Sequence, residues 1–229
     1  MRTILSFLFL LCWLSLATAV AQPLTSRSAM ASAYIDRGVA WFTKGDYERA
    51  LADFDLAVAS DPGKAWTYYN RAATFYRLKN YERALADFDR AIQLNPALAE
   101  AYAGRGAARQ SKGDLDSALA DCNQAIKLNP LFADVWFNRA DYWKARGDLE
   151  QAKTDLTRAI ELKPHWAEAY AQRGLARLLR GRDAEAEQDF ARCLALNKNL
   201  KQALDRLIAE AKMRRRIGAA SGSERGSLK

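Results

Sequence analysis

A single histidine, His165, and three cysteines, Cys12, Cys122 and Cys193, are the whole supply of imidazole and thiol groups in 229 residues. A structural zinc site gathers four such donors, and a Ser-His-Asp triad needs a histidine with its own orienting carboxylate. His165 follows Pro164 in a turn, has no ligand companion close in sequence, and reads as a solvated turn residue. Cys122 and Cys193 fall where a repeating pattern reserves places for buried apolar side chains, two repeats and about 20 Å apart, which is beyond disulfide reach. No glycine-rich phosphate loop, nucleophile elbow or paired-cysteine metal motif occurs. The sequence therefore predicts no catalytic residue, no metal and no cofactor, and a protein that is not an enzyme.

The most regularly spaced charges are arginines and aspartates. Arg37, Arg71, Arg105, Arg139 and Arg173 recur every 34 residues, and Asp53, Asp87, Asp121, Asp155 and Asp189 follow them, each by sixteen. Such arginines could receive an anion, but each has its own aspartate, and an unpaired, partly buried charge is costly. The spacing predicts five internal ion pairs, one per repeat, that fix the register of neighbouring helices.

The elements that carry these pairs follow from the same period. From Ala31 the chain divides without insertion or deletion into 31–64, 65–98, 99–132, 133–166 and 167–200. Position four of each block is aromatic (Tyr34, Tyr68, Tyr102, Trp136, Tyr170), position eight is Gly or Ala, and position twenty is always Ala (Ala50, Ala84, Ala118, Ala152, Ala186). Small residues at eight and twenty let two antiparallel helices approach closely. Gly45, Gly113, Gly147 and Gly181 supply the turn between the helices. Pro62, Pro96, Pro130 and Pro164 end the second helix, having no amide hydrogen to offer another turn.

The pattern resembles the tetratricopeptide repeat, with its aromatic, small, Ala and Pro positions at a 34-residue period, over about 170 residues. The resemblance implies an all-α fold: a right-handed superhelical solenoid of five helix-turn-helix repeats. Residues 201–217, with Leu204, Leu207, Ile208 and Ala211 on one face, are predicted to form a C-terminal capping helix. The resemblance also implies that the first helices line a concave groove. Carried over position by position, its partner-binding residues are Trp66, Tyr69, Asn70, Tyr76, Gly104, Phe137, Asn138, Asp141 and Gln172. Ala103, Gly104 and Ala107 would leave a bare stretch between aromatic walls, and Glu100, Asp134, Asp141 and Glu168 tilt the groove toward cationic or neutral ligands. The lysine needed for the family's carboxylate grip is missing at the fifth and ninth positions, so that activity is not expected.

The ends carry addresses of a different kind. Met1 and Arg2, an apolar run from Ile4 to Leu16, and Ala17, Ala19 and Ala21 have the three parts of a secretory signal peptide over residues 1–21, with cleavage after Ala21. The competing reading is an uncleaved anchor, because Ile4 to Ala21 just reaches membrane-span length. Residues 22–30 are predicted to be a flexible leader and 218–229 a flexible basic tail. Of the formal +8, residues 22–200 hold +2 and residues 201–229 hold +5, so the array is nearly neutral and its end is basic. Lys212, Arg214, Arg215 and Arg216 are the candidate contact with an anionic surface.

These observations predict a non-enzymatic scaffold, periplasmic or secreted, that holds a peptide or protein in its groove, in envelope assembly or secretion. The alternative is a structural envelope protein held by its basic C-terminus or an uncleaved anchor, with only peripheral membrane contact otherwise. Nucleic acid is not an expected partner, since the arginines lack interleaved aromatics.

Overall fold

The computed structural model describes residues 24–226, with side chains from 26 to 217. The signal-peptide and anchor readings of residues 1–21, and Cys12 with them, lie outside the described residues. Five helical hairpins follow in chain order. They are α1 (Leu24–Thr43) with α2 (Tyr47–Ser60), α3 (Ala65–Arg77) with α4 (Tyr81–Leu94), α5 (Ala99–Ser111) with α6 (Leu115–Leu128), α7 (Ala133–Arg146) with α8 (Leu149–Leu162), and α9 (Ala167–Leu179) with α10 (Asp183–Leu196). A 3-10 turn, Lys198–Leu200, leads into α11 (Lys201–Gly226). No described residue lies in a strand, and no helix among the described residues is long and apolar enough to cross a membrane.

Each first helix packs on its own second helix and, from the second hairpin on, on the second helix of the preceding repeat, while α1 and α3, α3 and α5, and α5 and α7 also touch one another, which makes a solenoid. The contact is close because the residues at its centre are small. Ala50, Ala84, Ala118, Ala152 and Ala186 are all fully buried. Four second helices open alike: Asp46, Asn80, Asp114 and Asp148 accept the amide three residues on at 3.1 to 3.2 Å. Arg182, at the same place in the last hairpin, makes no cap bond. Gly45, Gly113, Gly147 and Gly181 all hold positive φ between 77° and 86°, and in the second hairpin Lys79 takes that conformation at φ 60°.

Two boundaries differ from expectation. Residues 24–30, predicted as flexible leader, form the opening turns of α1. No Pro or Gly interrupts them, and Lys64 ties them to the next hairpin, its Nζ lying 2.8 Å from the Ser28 carbonyl and 2.7 Å from Ser32 Oγ. At the other end α11 passes residue 217 and continues to Gly226, through a stretch predicted as flexible tail but holding no proline to end a helix.

The capping helix lands on α9 rather than settling between α9 and α10. Leu204 and Ala211 are buried against Ala167, Ala171 and Leu175, with Leu200 and Ile208 beside them. Arg215 locks this placement, since its guanidinium grips Asp183 and donates to the Leu178 carbonyl at 3.0 Å. That bond holds the Asp183 carboxyl below its ordinary range.

Candidate partner-binding groove

The predicted ion pairs form in all five repeats. Arg37, Arg71, Arg105, Arg139 and Arg173 each grip the aspartate sixteen residues ahead with two nitrogens at 2.6 to 3.0 Å, and Arg105 adds a third, longer contact to Asp121 at 3.3 Å. The sequence did not reveal that four of these arginines also reach backward across the repeat boundary. Arg71 bonds Asp55 at 2.7 Å, Arg105 bonds Asp89 at 2.6 Å, Arg139 bonds Asn123 at 2.7 Å and Arg173 bonds Thr157 at 3.3 Å. The signal was present at position twenty-five, which offers an acceptor in the first four repeats and Ala191 in the last, where no arginine follows. Each guanidinium also lies over the position-four ring of its own helix, from 4.8 to 5.5 Å. With this many partners the arginines are structural and are not available as anion receptors.

The pairs hold α3, α5, α7 and α9 side by side, and the predicted groove residues sit on these helices. Trp66, 44% exposed, stacks on Tyr69 with ring centres 4.8 Å apart, and Tyr69 in turn leans on Phe88 at 6.0 Å. Burial, with the nearby Glu100 carboxylate adding to it, raises the Tyr69 phenol pKa. A second stack joins Phe137 to Trp166, centres 4.5 Å apart. Tyr76 lies against Tyr81. Asn70 donates its amide to the Trp66 carbonyl of its own helix at 2.8 Å. Asp141 and Gln172 both hold Lys144, at 2.5 Å each, while Asn138 is half-buried on α7.

Gly104 corrects the expected bare floor. A Cβ there would lie 2.4 Å from Phe88 Cζ, so the aromatic ring of the preceding repeat fills that space. In the first and last repeats the equivalent rings, Phe54 and Phe190, press on the small residues Gly38 and Gly174 of their own hairpins. The second repeat has Ala72 at that position, and Phe88 turns forward to Gly104. Ala103 and Ala107 remain half-buried with short side chains between the two aromatic stacks.

The groove closes at its carboxyl end. Ala171 and Leu175, which face it by family position, are each only 8% exposed beneath α11. Between α7, α9 and α11 lies a cavity of about 340 Å³ lined by Lys144, Gln172, Leu175, Leu179, Leu207 and Arg214, among others. Arg215 is the exception among the basic residues expected to meet an anionic surface. Its bonds to Asp183 and Leu178 make it part of the cap's attachment, while Lys212, Arg214 and Arg216 remain exposed.

Cys122 and Cys193 are buried and free, as their positions require. Burial pushes the Cys122 thiol up to about 12. The small Cys122 stands where other repeats have Phe or Leu, and Tyr142 from α7, 2% exposed, occupies the space it leaves. Tyr142 is the one large residue at position ten, where the other repeats have Ala or Thr. His165 is exposed, and no group of three or more His, Cys, Asp or Glu among the described residues is placed to hold a metal ion.

Comparisons with known proteins agree with this geometry. Tetratricopeptide repeat models match residues 65–98 and 99–132, 133–166, and 15–65, the last beginning inside the segment read as a signal peptide. No curated protein sequence matches the chain. Among solved structures, the MamA protein is 24% identical, with 76% of this chain and 94% of that one aligned and a TM-score of 0.62. YrrB, described as a TPR protein with an unusual peptide-binding site, is 20% identical over 79% of this chain and 90% of its own, TM-score 0.60. The first TPR of Spaghetti (RPAP3), solved with the HSP90 peptide SRMEEVD, is 28% identical over 52% of this chain and 95% of its own, TM-score 0.51. Repeat-by-repeat sequence matches and a shared solenoid together place the chain in the tetratricopeptide repeat family.

Proposed function

We propose that the protein is a non-enzymatic scaffold that holds a peptide segment or protein surface in the groove formed by α3, α5, α7 and α9. The observation that carries this reading is the pair of aromatic stacks, Trp66 on Tyr69 and Phe137 on Trp166, standing on either side of the short side chains Ala103 and Ala107. Such a surface offers apolar area to a side chain, and Asn138 beside it offers an amide to a peptide backbone. Two proteins of the same fold are described with bound or bindable peptides, which supports the reading. The amino-terminal segment, with its charged start, apolar run and small-residue exit, supports export to a periplasm or secretion and hence a role in envelope assembly or secretion.

The test is a pull-down from cell-envelope extract with the exported chain, with circular dichroism confirming that each variant is folded. Partners are expected to be lost with Tyr69→Ala combined with Phe137→Ala, and kept when residues 212–229 are removed. The reverse pattern favours the second reading, a structural protein attached to an anionic surface through α11. One observation supports that alternative: Met213 and Ile217 are 64% and 60% exposed among Lys212, Arg214 and Arg216.

A further inference from the structure

Among the described tryptophans, one differs from the rest in having no cation of this chain over its ring. Of the five tryptophans among the described residues, four have a basic group of this chain within 6.0 Å of the ring centre. Trp41 has Lys44 and Arg49, Trp136 has Arg139, Trp143 has Arg146 and Trp166 has Lys163. Trp66 has none, although the residue is 44% exposed and its ring stacks almost parallel on Tyr69, with 27° between the planes. Glu100, on the first turn of the neighbouring α5, interacts electrostatically with Tyr69, and its side chain makes no ion pair or hydrogen bond to another described residue.

The fourth repeat shows what such an arrangement holds. There Phe137 and Trp166 stack at 4.5 Å and 25°, and the Lys163 ammonium lies 4.9 Å above Trp166 while bonding Asp134 at 2.6 Å. Asp134 stands one repeat after Glu100, at the same position of its helix. Lys163 itself departs from the pattern, since the other four repeats have Asp or Asn at its position, each accepting the amide two residues on. A stacked aromatic pair, a carboxylate and an ammonium thus form one unit in repeat four, whereas Trp66 and Tyr69 of repeat two meet Glu100 of repeat three, the same kinds of group drawn from different positions and without the ammonium.

We infer that Trp66, Tyr69 and Glu100 form the seat for one cationic side chain, lysine or arginine, of the polypeptide bound in the groove. The ring faces attract the cation through their quadrupoles, and Glu100 neutralises it. Burial, with the Glu100 carboxylate adding to it, raises the Tyr69 phenol pKa, so Glu100 acts electrostatically on the same surface. This inference rests on the groove reading above and adds to it the chemical class of the residue recognised.

The test uses the exported full chain and a displayed library of random twelve-residue peptides, followed by fluorescence anisotropy on the selected peptides. Selected peptides are expected to carry a lysine or arginine whose replacement by norleucine weakens binding roughly ten-fold. Glu100→Gln and Trp66→Ala should each give a similar loss, while Trp66→Phe keeps much of the affinity. Glu100→Gln should cost nothing further once the peptide carries norleucine, because the two changes remove one interaction. Free n-butylammonium serves as the small-cation arm: failure to displace the peptide at millimolar concentration supports a polypeptide ligand, and displacement with equal affinity overturns it. Peptides that bind in the groove, blocked by Ala107→Arg, yet tolerate norleucine would overturn the cation seat and leave the groove reading standing. If Ala107→Arg blocks no selected peptide, both fall.

Discussion

Arg105 joins two repeats through one side chain, gripping Asp121 of its own hairpin and bonding Asp89 of the preceding one at 2.6 Å. The two partners differ in burial, the Asp121 side chain being 4% exposed and Asp89 50%. A buried carboxylate that also receives Arg109 at 2.8 Å cannot be removed without leaving two guanidinium groups short of a partner. Asp121→Ala is expected to cost about 3 to 5 kcal/mol, and Asp89→Ala less than about 1 kcal/mol, because water replaces an exposed partner cheaply. Urea unfolding of the two variants reads the difference, and equal losses would show that the ladder is not ordered by burial.

Lys79 occupies a left-handed turn position that four other hairpins give to glycine. A side chain with a Cβ is strained there, so Lys79→Gly should raise stability by about 1 kcal/mol. A lowered urea midpoint would contradict this, since Lys79 makes no side-chain ion pair in the structure that the change could remove.

Cys122 and Tyr142 fit each other as small and large partners across a repeat boundary. Tyr142→Ala should destabilise by about 3 to 5 kcal/mol through the cavity it opens, and Cys122→Leu alone should destabilise by crowding the tyrosine. The double variant is expected to be more stable than the sum of the two losses, measured by a thermodynamic cycle. Strict additivity would mean that the two side chains do not share one space.

The attachment of α11 should weaken in acid. Arg215 depresses the Asp183 pKa below its usual 3.8, so the pair contributes fully above that value and its contribution disappears as pH falls through the lower folded-state value. Protease nicking within α11 should therefore quicken below about pH 4 in the native chain. Asp183→Asn should show the fast nicking already at pH 7, with little added by acid. Unchanged nicking in Asp183→Asn at neutral pH would assign the attachment to apolar packing alone.

How much of this could be read from the sequence depended on repetition. The hairpins, their alanine contacts and the five Arg-to-Asp pairs were readable because five copies gave the same register independently. The backward bonds of the arginines were not, because their acceptor changes from Asp to Asn to Thr and no single residue type marks the position. Gly104 was read as open floor because a ring's direction depends on its neighbours, and Ala72 is what sends Phe88 forward. The extra turns of α1, the reach of α11 and its landing on α9 occur once each, so no second copy could confirm them. The clustering of Trp66, Tyr69 and Glu100 spans two repeats, and only the packing of α3 against α5 brings those residues together.

The changing acceptor also makes the array respond unevenly to ionic strength. At the first two repeat boundaries the backward bond is an ion pair to a well-exposed carboxylate, Asp55 at 64% and Asp89 at 50%. At the next two it runs to the neutral side chains of Asn123 and Thr157. Screening shortens the reach of a charge from about 10 Å at 0.1 M salt to about 3 Å at 1 M, and it weakens exposed pairs far more than neutral hydrogen bonds. Concentrated salt should therefore weaken the arginines' backward bonds at the junctions nearest the amino end, including the one that carries Trp66 and Glu100, more than the corresponding bonds to Asn123 and Thr157.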